Sequence, residues 1–294
     1  MQGLIICLQG GLYTLYDLEQ KTTILAKARG KFRLDNESPK VGDIVEYQMI
    51  DHQKAYIFSI KPRHNDLIRP AISNVDQALI LFSVKKPDFN ANLLDRLLAV
   101  LEFNNIHAII IFSKWDLLTL DEEESMKKIV SYYEKIGYQA IKSSTKTTSK
   151  DGINEVGLLL KDKITVLAGQ SGVGKSSLIN ELAPGLKIKT DEISEALGRG
   201  KHTTRHVELI PLLGGWIADT PGFGITSFEN MTKMDLAHSF IEFFKLSSKC
   251  KFNCCLHQNE PNCAIKQALD KEILMSRYEN YLLFLDEINK QRKW

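Results

Sequence analysis

At 294 residues, 44% of them hydrophobic, the chain is long enough to bury a full core and divide into two or three domains, and it has no low-complexity tract. A formal net charge of +2 is too small to establish nucleic-acid binding, because only a local cluster of cations makes a phosphate-binding surface. The apolar stretch at residues 4–8 is too short for a signal-peptide core or a membrane span and follows no basic residue, so the expectation is a cytoplasmic protein without membrane contact.

Over residues 1–68, short apolar runs at 12–15, 44–47 and 55–60 are separated by Gly10-Gly11, Pro39 and Gly42, a spacing that predicts a small β-barrel. Residues 21–33 carry Lys21, Lys27, Arg29, Lys31 and Arg33, with no acidic residue and with Phe32 among them. Such a face suits a nucleic-acid backbone; it equally suits solvated strand-edge charges that deter edge pairing.

From residue 69 the pattern changes to an apolar strand at 78–82, an amphipathic helix at 92–103 and an apolar strand at 107–112, which predicts a parallel sheet. A helix at 122–135, a strand at 139–143, a helix at 153–160 and a strand at 164–168 continue the alternation. Gly214-Gly215 then joins the runs 207–213 and 216–218 as a hairpin. Residues 69–228 read as one α/β domain, and residues 229–294 as a helical module whose longest pattern covers 272–290.

Gly169-Gln170-Ser171-Gly172-Val173-Gly174-Lys175-Ser176, followed by Ser177, fits the Gly-x4-Gly-Lys-Ser/Thr loop between a strand and a helix. Backbone N–H groups of such a loop wrap phosphates at the positive end of the helix. Lys175 is expected to reach the β- and γ-phosphates, and the Ser176 hydroxyl to ligate Mg²⁺. A loop of this kind reads phosphates and leaves ATP and GTP open.

Ser113-Lys114-Trp115-Asp116 resembles the Asn/Thr-Lys-x-Asp reader, whose aspartate accepts both the ring N–H and the amino group of guanine. Adenine lacks that donor pair and would leave a buried carboxylate unpaired. Lys114 is expected along the base, and Ser113, shorter than Asn, holding the loop. Ser143-Ser144-Thr145 is the candidate for a backbone contact to the guanine oxygen; a Ser/Thr-rich surface loop is the other reading.

Asp219-Thr220-Pro221-Gly222 fits Asp-x-x-Gly, with Asp219 holding Mg²⁺ through water and the Gly222 N–H meeting the γ-phosphate. The Gly- and base-rich stretch 198–205 reads as a switch loop in which Thr204 closes over Mg²⁺. Phe223 stands where Ras-like enzymes carry the glutamine that orients the attacking water. His202 is the candidate to replace it, so that His202, Lys175 and Thr204 form the predicted catalytic set.

The base reader at 113 thus precedes the phosphate loop at 169 and the Asp-x-x-Gly at 219, whereas in the usual order it comes last. Joining termini that lie close together and opening a surface loop elsewhere leaves a packed core intact, so this is a circular permutation. It puts the γ-phosphate sensor directly before the C-terminal module.

Of the five cysteines, Cys250, Cys254, Cys255 and Cys263 crowd around His257. Without a secretory signal this reads as a closed structural Zn²⁺ site of three thiolates and one imidazole. Cys250, His257 and Cys263 are joined by Cys255 or its neighbour Cys254.

Taken with Arg29-Gly30-Lys31-Phe32-Arg33, Val41-Gly42-Asp43, residues 65–70 and Asn74-Val75-Asp76, these motifs make the chain resemble the RsgA family (also YjeQ or YloQ), the GTPases that depend on the small ribosomal subunit. The resemblance implies an OB-fold barrel, a circularly permuted P-loop GTPase domain and a zinc domain in which Cys255 is the ligand. It further implies GTP and GDP as ligands, late maturation of the 30S subunit as the role, the 30S subunit and its rRNA as partners and a monomeric state. The rival reading is an RNA-binding assembly scaffold whose nucleotide site is degenerate at Ser113 and Phe223.

Overall fold

The computed structural model describes residues 1–28, 32, 38–51, 54–68, 70–144, 151–183, 207–223 and 227–291, with residues 151 and 219–223 described as backbone. Strands β1 (Gln2–Gln9), β2 (Leu12–Asp17), β3 (Thr23–Ala28), β4 (Ile44–Met49) and β5 (Lys54–Ile60) run in the order β1-β2-β3-β5-β4, and β4 pairs back onto β1. This is the closed OB-type barrel, filled by alternate residues such as Leu15, Val45, Tyr47, Ala55 and Ile57. Asp17 is an inward-facing exception whose charge is satisfied. Its carboxylate accepts the Tyr47 hydroxyl and the N–H groups of Glu19 (2.8 Å) and Gln20 (2.5 Å), which winds the turn into β3 around it.

A polar knot ties the barrel to the segment that leads into the α/β domain. Arg63 grips the buried Asp43 through Nε (2.7 Å) and Nη2 (2.8 Å), while the Ser73 hydroxyl donates to the same carboxylate at 2.5 Å. Gly42, at φ +91°, is required there because a Cβ would stand 2.0 Å from the Ser73 carbonyl oxygen. Ser73 lies in the short ribbon of β6 (Asp66–Leu67) and β7 (Ile72–Ser73), and Asn74 closes the knot with a bond to the Gly42 carbonyl at 2.9 Å.

The α/β domain has parallel strands β8 (Gln77–Ser83), β9 (His107–Ser113), β10 (Gln139–Lys142), β11 (Ile164–Ala168) and β13 (Gly215–Phe223), with β12 (Glu208–Leu212) antiparallel. The spatial order β10-β9-β8-β11-β13-β12 places β8 and β11 where the winding reverses, the point at which open α/β sheets bind ligands. The connecting helices are α1 (Ala91–Phe103), α2 (Leu120–Ile136) and α3 (Asp151–Leu159), with α4 (Lys175–Leu182) following β11. Leu79, Leu81, Ile109 and Ile111 pack with residues of α3 and α4, whereas Ile80, Phe82, Ile110 and Phe112 point into the core shared with α1 and α2. Both faces are covered, which is why these strands are continuously apolar. The sheet reaches the barrel where β12 meets β1, at Cys7 opposite Glu208, making one eleven-stranded sheet.

The hairpin turn lies one residue earlier than expected. Leu213 (φ 47°) and Gly214 (φ 82°) form it, a two-residue turn with both φ positive, and Gly215 opens β13 opposite Leu212. Gly215 answers a different demand, since a Cβ there would lie 1.8 Å from the Leu160 carbonyl oxygen.

Helices α5 (Lys233–His238), α6 (Ile241–Ser247), α7 (Ala264–Gln267) and α8 (Met275–Gln291) form the C-terminal module. It docks on α1 and α2 through a buried ion group. Arg277 binds Asp95 of α1 (2.6 Å) and Glu242 of α6 (2.5 Å), and Tyr133 of α2 and Asn280 also donate to Asp95, each at 2.7 Å. Among the described residues no helix is long and apolar enough to cross a membrane.

Candidate nucleotide pocket and metal centre

The ends of β9, β10 and β11 deliver the predicted loops to one place. After β11 the chain turns sharply against β8 at Gly169 (φ +137°), where a Cβ would sit 2.3 Å from the Leu81 carbonyl oxygen. Gly174, at φ 104°, starts α4 with no side-chain cap on the N–H groups of its first turn, the end of a helix that suits an anion. Lys175 folds back over the loop, its ammonium donating to the carbonyls of Gly169 and Gln170, both at 2.7 Å. Burial pulls its pKa below the ordinary lysine value. Ser176 is buried in the first turn of α4, and Gln170, Ser171, Gly172 and Ser177 complete the loop and the helix start.

The Ser113 hydroxyl, at the end of β9, donates to the carbonyl of Val173 at 2.5 Å. Lys114, in the left-handed region at φ 59°, lays its ammonium on the carbonyls of Gly172 (2.7 Å) and Lys86. The Trp115 N–H donates to Ser143 (3.2 Å), and its ring carries the Lys142 ammonium 5.0 Å from the centroid. Asp116 accepts the Ser144 hydroxyl at 2.5 Å. Between these segments opens a pocket of about 350 Å³ whose walls include Lys86, Ser113, Asp116, Ser143, Gly174 and Ser177. Lys86 belongs to no motif; its only signal in the sequence is a position in the loop after an apolar strand.

Residues 219–222 lie within β13 and not beyond it. β11 pairs Val166 with Ala218 and Ala168 with Phe223, so the backbone of Asp219 and Gly222 bulges from the ladder where β11 becomes the phosphate loop. His202, Thr204 and Thr145 lie outside the described residues.

The ligand atoms of Cys250, Cys255, His257 and Cys263 all lie within 4.8 Å of one another. Cys254 is exposed, whereas Cys255 is buried and belongs to the cluster. Glu260 organises the loop by accepting the N–H groups of Leu256 (2.7 Å), Gln258 (2.9 Å) and Asn259 (3.1 Å). Tyr278 and Tyr281 of α8 hold the carbonyls of His257 and Leu256 at 2.7 and 2.6 Å. Burial pushes the Cys255 thiol up to about 12 and the His257 imidazole down to about 4. A neutral imidazole is ready to ligate, and thiols in such surroundings become thiolates when a divalent cation compensates them. The donor set fits tetrahedral zinc.

Residues 60–229 match the RsgA GTPase family, and residues 2–57 match the RsgA N-terminal domain. The Small ribosomal subunit biogenesis GTPase RsgA of Shouchella clausii (strain KSM-K16) is 46% identical over 293 residues, covering 99% of each chain. The crystal structure of YloQ, a circularly permuted GTPase, superposes with a TM-score of 0.85 at 39% identity, covering 100% of this chain and 96% of that one. YjeQ from Thermotoga maritima gives 0.86 at 35% identity, covering 99% of both.

Proposed function

The chain belongs to the RsgA GTPase family, and on that premise we propose that it hydrolyses GTP in small ribosomal subunit biogenesis, with the 30S subunit and its rRNA as partners and with turnover stimulated by the subunit. One observation carries the reading. Ser113 and Lys114 bond to Val173 and Gly172, so a guanine-reader segment and a phosphate loop that follow each other in permuted order share one pocket.

Asp116 reads the ring N–H and amino group of guanine, steadied by Ser144, while Lys114 packs along the base. The α4 N-terminus and the N–H groups of residues 169–176 hold the phosphates, and the Lys175 ammonium exchanges its loop carbonyls for β- and γ-oxygens. Ser176 and Thr204, with Asp219, would hold Mg²⁺, which would neutralise charge on the phosphates when bound. The Gly222 N–H registers the γ-phosphate. His202 orients the attacking water at the place where Phe223 offers no polar group. Cys250, Cys255, His257 and Cys263 would hold Zn²⁺, which would stabilise the C-terminal module, and the basic segment 21–33, of which Arg29, Lys31 and Arg33 lie outside the described residues, is the stretch that binds rRNA. The protein acts as a cytoplasmic monomer.

The test is GTP turnover by the full chain with and without purified 30S subunits. Turnover is expected to be slow alone and to rise with subunits. No hydrolysis at saturating subunits would favour the scaffold reading, and turnover indifferent to subunits would remove the ribosomal assignment.

A further inference from the structure

A second cleft, of about 530 Å³, opens on the seam between barrel and α/β sheet and shares no wall with the nucleotide pocket. Its origin is topological. β1 meets β12 through the single pair Cys7 and Glu208, so the two sheets splay apart beside that contact. The barrel side contributes Tyr16 and Lys21, and the sheet side Lys163 and Trp216.

The rings of Tyr16 and Trp216 meet edge to face, 4.9 Å between centroids, and both are half-buried, so part of the aromatic surface faces the cleft. The Lys21 ammonium stands 5.9 Å from the Tyr16 centroid. Lys21 sits on the turn wound around the Asp17 carboxylate, with its own N–H on the Asp17 carbonyl at 3.1 Å. Across the cleft, the Lys163 carbonyl accepts the Trp216 N–H at 2.8 Å, and the Asp162 N–H binds the Gly214 carbonyl at 3.1 Å. Both lysines therefore project from fixed backbone. Both side chains are exposed, neither pairs with a carboxylate among the described residues, and Asp162 is the one acidic residue on the wall.

An aromatic platform takes any nucleobase by stacking, and cations flanking it take the phosphates on either side of that base. The volume is of the size that holds one nucleotide. Duplex bases are stacked on one another and cannot enter. We propose that this seam binds an unpaired nucleotide of RNA, its base against Trp216 and Tyr16 and its flanking phosphates on Lys21 and Lys163. The proposal rests on the reading of the chain as a ribosome-directed GTPase and names a place where RNA touches barrel and GTPase domain at once.

The full chain is titrated with a fluorescein-labelled oligouridylate of about ten nucleotides, with a blunt RNA duplex and UMP as competitors. The single strand is expected to bind, and neither competitor to displace it at equal concentration. Trp216→Leu should weaken binding on the order of tenfold. The double variant Lys21→Ala/Lys163→Ala should do the same and lower the slope of log affinity against log salt by about 1.4. With 5-bromouridine in the strand, ultraviolet crosslinks should map to peptides containing Tyr16 or Trp216. Wild-type affinity in the double-lysine variant, whose exposed substitutions spare the core, would overturn the proposal, as would equal competition by UMP or crosslinks confined to other peptides. GTP turnover of the wild-type chain with 30S subunits, measured alongside, separates the two readings: its absence removes the hydrolase and leaves the cleft to stand or fall on RNA binding.

Discussion

Ser113 joins two motifs that the sequence separates by sixty positions, through one hydroxyl on the Val173 carbonyl. Removing that donor leaves a buried carbonyl short of its partner, at a cost of about 1–2 kcal/mol. Ser113→Ala is therefore expected to weaken GDP binding roughly tenfold, read by titration with a fluorescent GDP analogue, while turnover at saturating GTP stays near wild type. An unchanged affinity would show that the bond does not position the reader. His202→Ala is expected to lower 30S-stimulated turnover by at least about 10²-fold, and near-normal stimulated turnover would end its assignment. At the metal centre, Cys255→Ser should abolish stoichiometric zinc and lower the melting temperature, whereas Cys254→Ser should retain both, measured by metal analysis of the purified chains. The residue types of these sites were legible because phosphate loops and zinc clusters constrain identity at fixed spacing. The choice between Cys254 and Cys255 was not, since it depends on which side of the loop turns inward, and that is set by Glu260 and the tyrosines of α8.

Among the elements, α2 shows how a helix start is tied to the pocket. Thr119 and Glu122 form a reciprocal capping box, and the Glu122 carboxylate also takes the Lys85 ammonium at 2.7 Å, one residue before the pocket residue Lys86. The Lys85 bond, with the Thr119 N–H, holds Glu122 down to about 2. Its folded pKa is depressed, so its contribution is present above the ordinary value near 4.5 and lost as pH falls toward about 2. Gln can fill the same capping role without charge. Glu122→Gln should accordingly lower the melting temperature at pH 7, with the gap to wild type closing as pH falls below about 4.5. A gap independent of pH would mean that packing, not the ion pair, is lost. Element identities were readable from apolar period, because strands buried on both faces and helices with one dry face leave different patterns. The hairpin turn was displaced by a residue because two adjacent glycines obey different constraints, Gly214 a positive φ and Gly215 the approach of the Leu160 carbonyl.

At the scale of the molecule, the C-terminal module is bound to the GTPase domain by charge buried in an aromatic shell. Arg277 is enclosed by Asp95, Glu242 and the rings of Phe240 (4.6 Å) and Tyr133 (5.7 Å). None of this was visible in the sequence, where Arg277 is one cation in a helical pattern and Asp95 one acid in an amphipathic stretch; partners on α1, α6 and α8 meet only after the domains fold. Two carboxylates surround one guanidinium, so removing the cation leaves both acids buried with no counter-charge. That loss costs about 3–5 kcal/mol, whereas replacing the whole group by apolar side chains of similar volume is often neutral. Arg277→Met should therefore destabilise the chain by about that amount in denaturant unfolding. The triple variant Asp95→Leu/Glu242→Met/Arg277→Met should recover part of the loss, since Tyr133 and Asn280 still lose their acceptor at Asp95. The single variant should also expose residues 227–232 to proteolysis, because the Arg277–Asp95 bridge between α8 and α1 is lost. Full stability of Arg277→Met would show that apolar packing of Phe228, Phe240 and Phe284 alone holds the module. Destabilisation without recovery in the triple variant would show that the charges specify the docked geometry, and the module's orientation to the Asp-x-x-Gly strand would then depend on them.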